Sequence, residues 1–230
     1  MKGRGLTILI LVLWQHAFGQ FAVVEKADVI NVKSSASVGS SSVGRLVDGA
    51  VVYCLGEEKD GWISIDYDLG KLSKSGFILG SSVKRVDSLP KVPCSNLTET
   101  LATWSADSVV LTAATIPFDP KSNKLLFVRG TSLSEMTALI KINGKDIWGT
   151  DGNVPKVQYG QLVLQYGRKR VFLPTDNLFE PNLKNTKVYH DWKNKTIYIS
   201  TLNGDGAGGY AALWIVENGR FKSYSVTRPF

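Results

Sequence analysis

Short apolar runs separated by turn residues follow one another between residues 27 and 86. The run over residues 62–67 alternates apolar and polar side chains, which is typical of a half-buried β-strand. Asp48-Gly49 and Asp60-Gly61 supply hairpin turn signals between the runs. The pattern predicts a small β domain with strands within residues 29–32, 46–47, 50–55, 62–67 and 76–79.

A second series of short apolar runs extends over residues 101–230, with turn signals such as Asn143-Gly144 and Asn218-Gly219 between them. Strands of this number and spacing favour a β-sandwich or a small barrel. Residues 132–139 leave one alternative open, a helical segment of one or two turns. The eight predicted strands lie within residues 108–112, 125–128, 137–142, 161–165, 171–173, 196–200, 210–216 and 221–226.

The two series are separated by residues 87–100, which are polar and contain Pro90 and Pro93. Proline is excluded from helix interiors and from central strands, so this segment is predicted to be a linker. The predicted fold class is therefore all-β, with a first domain over residues 27–86 and a C-terminal β domain over residues 101–230.

The first domain contains a characteristic order of features: strand 30–33, a Ser-rich loop over 34–42, a Gly-x-Leu-x-x-Gly step at 44–49, Gly61-Trp62, and Gly76-Phe77-Ile78. This order resembles a bacterial SH3 (SH3b) domain over about sixty residues. Two departures are Lys33 in place of Arg and a longer insert over 68–75.

The SH3b resemblance implies an SH3-like small barrel that binds a cell-wall peptide or a protein partner. It makes Trp62 and Tyr67 candidate binding residues, because aromatic side chains line the groove of such domains. The alternative for Trp62 is packing within the domain core and its hairpin.

The first nineteen residues have the three parts of a secretory signal peptide. Lys2 and Arg4 are positive, residues 6–14 are nearly all apolar, and Ala17 and Gly19 are small residues before a cut that would leave Gln20 first. The apolar run is shorter than the roughly 20 residues that span a bilayer. We therefore expect a periplasmic or secreted protein with no transmembrane span after cleavage; an uncleaved anchor is the alternative.

Loss of the leader lowers the formal net charge from +7 to +5, and the remaining charges are dispersed. This mild excess suits an anionic wall or lipid surface, and nothing beyond it favours nucleic acid. Cys54 and Cys94 would enter an oxidising compartment, so they are a candidate disulfide. The alternative is a free Cys54 buried within the apolar run 50–55.

Histidine content argues against an enzyme, because His190 is the single histidine outside the leader. One imidazole cannot build a His-rich zinc site, and neither Cys-x-x-Cys nor His-Glu-x-x-His spacing occurs. A Cys–His or Ser–His–Asp site would have to use His190, which is predicted to lie at a strand end on the surface. The sequence predicts a protein that is not an enzyme, with no metal and no cofactor.

Four glycines precede Tyr210 within residues 204–209. They predict a tight loop with positive φ angles and outward-facing amides, which suits an anion or another protein's cleft. The loop is similar to the Ser-Gly-Ser-Gly-Gly-Tyr loop of bacterial periplasmic inhibitors of invertebrate-type lysozyme, although both serines are replaced here. The alternative is a plain hairpin with Tyr210 packed inward. The candidate partner-binding residues are Asp205, Gly206, Gly208, Gly209 and Tyr210.

Two hypotheses for function follow. The first is an exported, non-catalytic binding protein of the bacterial envelope, whose SH3b module binds a cell-wall peptide or an envelope protein. The second is a periplasmic inhibitor or immunity-type protein that blocks a hydrolase such as lysozyme through the glycine-rich loop.

Overall fold

The computed structural model describes residues 19–25, 29–128, 137–204 and 206–229. Twenty strands form four antiparallel sheets, and these residues contain no α-helix beyond short 3₁₀ turns. The predicted all-β class is confirmed. Of the predicted leader only Gly19 is described, and within the described ranges no helix is long and apolar enough to cross a membrane.

Seven strands form the first sheet, in the order β3-β2-β6-β5-β4-β1-β7, and we call this unit the first module. The alternation predicted for residues 62–67 is present, since Ile63, Ile65 and Tyr67 are buried and the residues between them are half-buried. The strands are β1 Gln20–Val24, β2 Ile30–Lys33, β3 Ser42–Leu46, β4 Val51–Cys54, β5 Trp62–Tyr67, β6 Lys74–Leu79 and β7 Val83–Arg85.

Strand β1 extends the first module beyond its predicted start at residue 27. It begins at Gln20 and lies inside the sheet, between β4 and β7. Ala22 and Val24 are fully buried in the core of the first module, whereas Phe21 and Val23 point to the opposite face of the sheet. The strand is therefore an integral part of this fold.

Two five-stranded sheets form a sandwich in the second half of the chain. Their orders are β16-β15-β11-β10-β9 and β20-β19-β18-β17-β8, and one apolar core lies between them. A small sheet of β12, β13 and β14 stands apart. The strands are β8 Lys91–Val92, β9 Cys94–Leu97, β10 Leu101–Ala106, β11 Val109–Pro117, β12 Leu125–Val128, β13 Ala138–Ile142, β14 Lys145–Asp146, β15 Val157–Tyr166, β16 Lys169–Phe172, β17 Lys187–Asp191, β18 Thr196–Asn203, β19 Tyr210–Glu217 and β20 Arg220–Thr227.

The predicted linker over 87–100 contains β8 and β9, each at the edge of a different sheet of the sandwich. Its prolines are compatible with these positions because an edge strand does not need every N–H for pairing. Their carbonyls still accept hydrogen bonds, Pro90 from the His190 N–H and Pro93 from the Ser105 N–H. The helical alternative for 132–139 falls mainly on residues that the structure does not describe, and residue 138 opens strand β13.

Strand β19 is buried on both of its faces, which explains its continuous apolar sequence. Ala212, Trp214 and Val216 face the sandwich core. Leu213 and its neighbours on the other face join a second apolar cluster, to which the first module contributes Phe21, Val23, Tyr53 and Val86. The first module and the sandwich, which we call the two modules, are therefore packed together through a shared apolar interface.

An ion cluster of Lys84, Glu25 and Asp191 also joins the two modules. The Lys84 ammonium of β7 lies 2.8 Å from Asp191 Oδ2 of β17 and also pairs with Glu25. Burial disfavours the charge on Asp191, but hydrogen bonds from Lys84 and Asn194 outweigh this effect and lower the pKa of the carboxyl. The cluster links one strand of each module through charge-assisted hydrogen bonds.

Candidate functional site

The predicted aromatic groove of the first module is not formed by Tyr67. This side chain is 3% exposed, and its hydroxyl donates a hydrogen bond to the Val43 carbonyl at 2.8 Å. Its ring covers Gly44 so closely that a Cβ there would lie 2.6 Å from Tyr67 Cζ. Trp62 is half-buried beside the hairpin. Tyr67 is thus a core residue, a correction to its predicted binding role.

The glycine-rich segment forms a tight turn with an exposed tip, as far as the structure describes it. Gly204 and Gly206 have φ angles of 90° and 49°, so the predicted positive φ occurs at these two positions. Gly208 instead allows the turn to approach the backbone of Thr150 closely, since a Cβ at this position would lie 2.7 Å from Thr150 Cα. Gly206 and Ala207 are exposed, Gly209 is buried, and Asp205 lies outside the described residues.

Tyr210 does not face a partner, because it is fully buried beneath this turn. Its hydroxyl donates to the Phe179 carbonyl at 3.1 Å and accepts from Asn203 Nδ2 at 3.0 Å. Burial raises the pKa of Tyr210 well above its ordinary value, so the hydroxyl stays neutral. The inward-packed alternative is the correct one, and Tyr210 anchors the turn from below.

His190 is buried within β17, which corrects its predicted place on the surface. It is 2% exposed and packs against the rings of Tyr166 and Trp192. Neither ring nitrogen has a hydrogen-bond partner in the described part of the chain, so no hydroxyl or thiol is coupled to this imidazole there. Burial lowers the pKa of His190, although Asp191 and Asp107 act in the opposite direction.

The two cysteines are free, so the candidate disulfide is not formed. Cys54 points into the core of the first module and is fully buried, whereas Cys94 is exposed on edge strand β9 of the sandwich. Burial raises the pKa of the Cys54 thiol to about 11. Within the described ranges, no group of three or more His, Cys, Asp or Glu side chains is arranged to hold a metal ion.

A cavity of about 320 Å³ lies where the two modules meet, and no sequence pattern indicated it. Its apolar wall includes Phe21 and Tyr53, whose rings form an edge-to-face pair with centroids 5.0 Å apart. Tyr189, Leu202 and Ala211 supply apolar surface from the sandwich. We call this space the intermodule cavity.

Polar groups surround the apolar wall of the intermodule cavity. Lys187 and Ser200 are cross-strand partners in β17 and β18, and both line the cavity together with Asn185. The ammonium of Lys187 has no carboxylate within ion-pair distance in the part of the chain that the structure describes. The first module contributes Asp87 and Gln20. An apolar cavity with a few convergent polar groups has the composition of a small-molecule site.

The sequence could not reveal this cavity because its residues are far apart along the chain and none belongs to a motif. Comparison with known proteins adds no further constraint. No known family, no curated protein and no solved structure matches this chain significantly.

Proposed function

We propose that the chain is an exported, non-catalytic binding protein of the bacterial envelope, and that its ligand occupies the intermodule cavity. The observation that carries this proposal is the cavity itself, a largely apolar space of about 320 Å³ with Lys187 among its lining residues. This volume is at the small end of the range of about 300–1,000 Å³ typical of ligand sites.

A short cell-wall peptide with a terminal carboxylate fits the chemistry of this cavity. Lys187 supplies a cation for the carboxylate, and Ser200 and Asn185 supply polar groups for peptide amides. The aromatic and aliphatic wall suits small apolar side chains such as that of alanine. The SH3b-like order of features in residues 27–86 and the predicted leader both favour a ligand of the bacterial wall.

Calorimetric titration with soluble peptides released from peptidoglycan by an amidase tests this proposal. Lys187→Gln removes the cation, and we expect affinity to fall by about tenfold or more, because a hydrogen bond to a charged group contributes roughly 1.5–3 kcal/mol. Lys222→Gln is a matched control, since Lys222 is exposed on β20 and pairs with Glu217. Equal affinity of wild type and Lys187→Gln for the peptides would contradict the proposal that the ligand occupies the intermodule cavity.

The second candidate is a hydrolase inhibitor that acts through the glycine-rich turn. The observation that favours it is the exposed tip at Gly206 and Ala207, held from below by buried Tyr210. A turn fixed in this way loses little conformational entropy when it enters a cleft. An invertebrate-type lysozyme assay tests it: Ala207→Trp should abolish inhibition, whereas Ala36→Trp, on the exposed Ser-rich loop, should not. Wild-type protein without any effect on lysozyme contradicts this candidate.

A further inference from the structure

Four hairpin turns lie together at one end of the sandwich, and we call this region the basic end. In one sheet Val109 pairs with Tyr166, so the turn between β10 and β11 lies beside the turn between β15 and β16. In the other sheet Thr196 pairs with both Asp191 and Glu217, so the turn between β17 and β18 lies beside the turn between β19 and β20. The turns occupy residues 107–108, 167–168, 192–195 and 218–219.

Hydrogen bonds connect these turns within each sheet and between the sheets. The Gly167 N–H donates to the Ser108 carbonyl at 2.7 Å, and the Asn218 N–H donates to the Lys195 carbonyl at 2.9 Å. The Lys169 ammonium reaches from one sheet to the other and donates to the Asn218 carbonyl at 2.7 Å. The four turns therefore form one continuous surface.

The basic end concentrates positive charge that is dispersed along the sequence. Glu217 pairs with Lys222 at 2.9 Å, and the buried Asp191 pairs with Lys84 at 2.8 Å, whereas Asp107 is exposed in its turn. The exposed cations of the turns and their flanking residues have no carboxylate within ion-pair distance across the described segments of the chain. They are Arg168, Lys169, Lys193, Lys195 and Arg220.

Two exposed aromatic rings lie among these cations. Trp192 is 48% exposed in its turn, and Phe221 is 40% exposed beside Arg220. The Trp192 ring lies against the buried His190 ring, with centroids 3.5 Å apart. The turn that presents it is fixed by Asn194, whose N–H and side-chain amide donate to the Asp191 carboxylate at 3.1 and 2.9 Å.

This combination of groups matches the chemistry of an anionic bilayer surface. Lysine and arginine are attracted to the phosphates of anionic lipids, and tryptophan favours the headgroup region because its ring has an apolar body and a polar N–H. A soluble anionic polymer would neutralise the cations but would offer no apolar phase to Trp192 and Phe221. The exposed rings therefore favour a membrane as the partner.

We propose that the basic end docks on a bilayer rich in anionic phospholipid, with Trp192 at the level of the headgroups. This interaction is separate from peptide binding in the intermodule cavity and does not depend on it. Lys187, which lines the cavity, opens β17, and Asp191 ends the same strand. The strand between them is roughly 13 Å long, so the docked protein holds this part of the cavity away from the lipid.

Co-sedimentation with vesicles of equal parts phosphatidylglycerol and phosphatidylcholine tests the proposal, with pure phosphatidylcholine as the neutral comparison. The protein used lacks residues 1–18, because their apolar run would bind lipid by itself; all twenty strands are retained. We expect wild type to bind the anionic vesicles and to be released at about 1 M NaCl, which screens exposed charges. Lys193→Gln/Lys195→Gln should weaken binding at least about tenfold, because each cation near an anionic surface contributes about fivefold.

A matched double variant controls for the change in net charge. Lys121→Gln/Lys124→Gln removes two exposed lysines that follow β11, whose other end leads to the basic end. We expect this variant to change binding by less than about twofold, because its lysines lie far from the lipid. Brominated phosphatidylcholine in the anionic vesicles should quench tryptophan fluorescence of wild type, and Trp192→Phe should abolish that quenching.

Several results would overturn membrane docking by the basic end. Equal losses in the two double variants would attribute binding to net charge alone, and equal binding to neutral vesicles would exclude the cations as its cause. Absence of binding to the anionic vesicles would also contradict the proposal. Binding to soluble polyphosphate without quenching by brominated lipid would make an anionic polymer the partner instead. Peptide affinity should be unchanged in Lys193→Gln/Lys195→Gln, so failure of the cavity proposal is observed separately.

Discussion

Leu213→Ala is the perturbation that most clearly separates two docked modules from two independent ones. Leu213 lies in β19 on the face of the sheet that points away from the sandwich core, yet it is fully buried. It belongs to the same apolar cluster as Phe21, Val23, Tyr53 and Val86 of the first module. If the modules were separate, this side chain would face solvent and its truncation would have little effect.

The expected cost follows from the atoms removed. Leucine loses three carbons in this substitution, which corresponds to about 2.4 kcal/mol at roughly 0.8 kcal/mol for each buried methylene. The cavity left behind adds to this loss, so measured Leu→Ala costs in cores are about 2–5 kcal/mol. We expect the free energy of unfolding to fall by about 3 kcal/mol.

Urea unfolding followed by tryptophan fluorescence and by far-UV circular dichroism measures this loss. We expect one cooperative transition for wild type and for Leu213→Ala, because both modules share the apolar interface. Leu72→Ala is the control, since Leu72 is 91% exposed and should change stability by less than about 0.5 kcal/mol. Two separate transitions, or a loss of stability in Leu213→Ala as small as that of the control, would show that the two modules are independent.

Three further predictions concern individual side chains. A thiol reagent should modify Cys94 at once and Cys54 only after unfolding, because Cys54 is fully buried with a pKa of about 11. Rapid modification of both cysteines in the native protein would contradict the buried position of Cys54. Burial lowers the pKa of His190 below its ordinary value of 6.5, so the unfolded state binds the proton first as pH falls. Stability should therefore decrease as the pH falls below about 6.5, and His190→Leu should flatten that slope in pH-dependent urea melts; an unchanged slope would exclude His190 as its cause. Tyr210→Phe should lower the free energy of unfolding by about 1–3 kcal/mol, because Asn203 and the Phe179 carbonyl lose a buried hydrogen-bond partner. Tyr224→Phe, on an exposed ring, is the control and should be nearly neutral. Equal melting temperatures for the two variants would show that the buried hydroxyl of Tyr210 does not contribute to stability.

Local patterns in the sequence were sufficient for the fold class and for some strands with alternating burial, although β10, which also alternates, was not among the predicted strands. Residues 62–67 are the clearest case, since their alternation reproduces the observed burial of β5. Residues 87–100 show the limit of such reasoning. Their prolines favoured a linker, but the carbonyls of Pro90 and Pro93 accept hydrogen bonds from the sandwich, so edge strands form around them.

The candidate site was less accessible to prediction because it depends on contacts between distant segments. Tyr210 follows a glycine-rich turn, and only the tertiary structure shows that Asn203 and the Phe179 carbonyl draw its hydroxyl inward. His190 carries a polar ring in a strand, and only the packing of Tyr166 and Trp192 shows that it is buried. The intermodule cavity likewise requires both modules to be in place.

A ¹H–¹⁵N NMR titration of the purified protein with soluble peptides released from peptidoglycan tests whether the intermodule cavity is the binding site. We expect the largest chemical-shift changes to cluster around the intermodule cavity, at Phe21, Lys187, Tyr189 and Ser200. Saturable shifts confined to the tip of the glycine-rich turn or to the surroundings of Trp62, or no shifts at all, would contradict it.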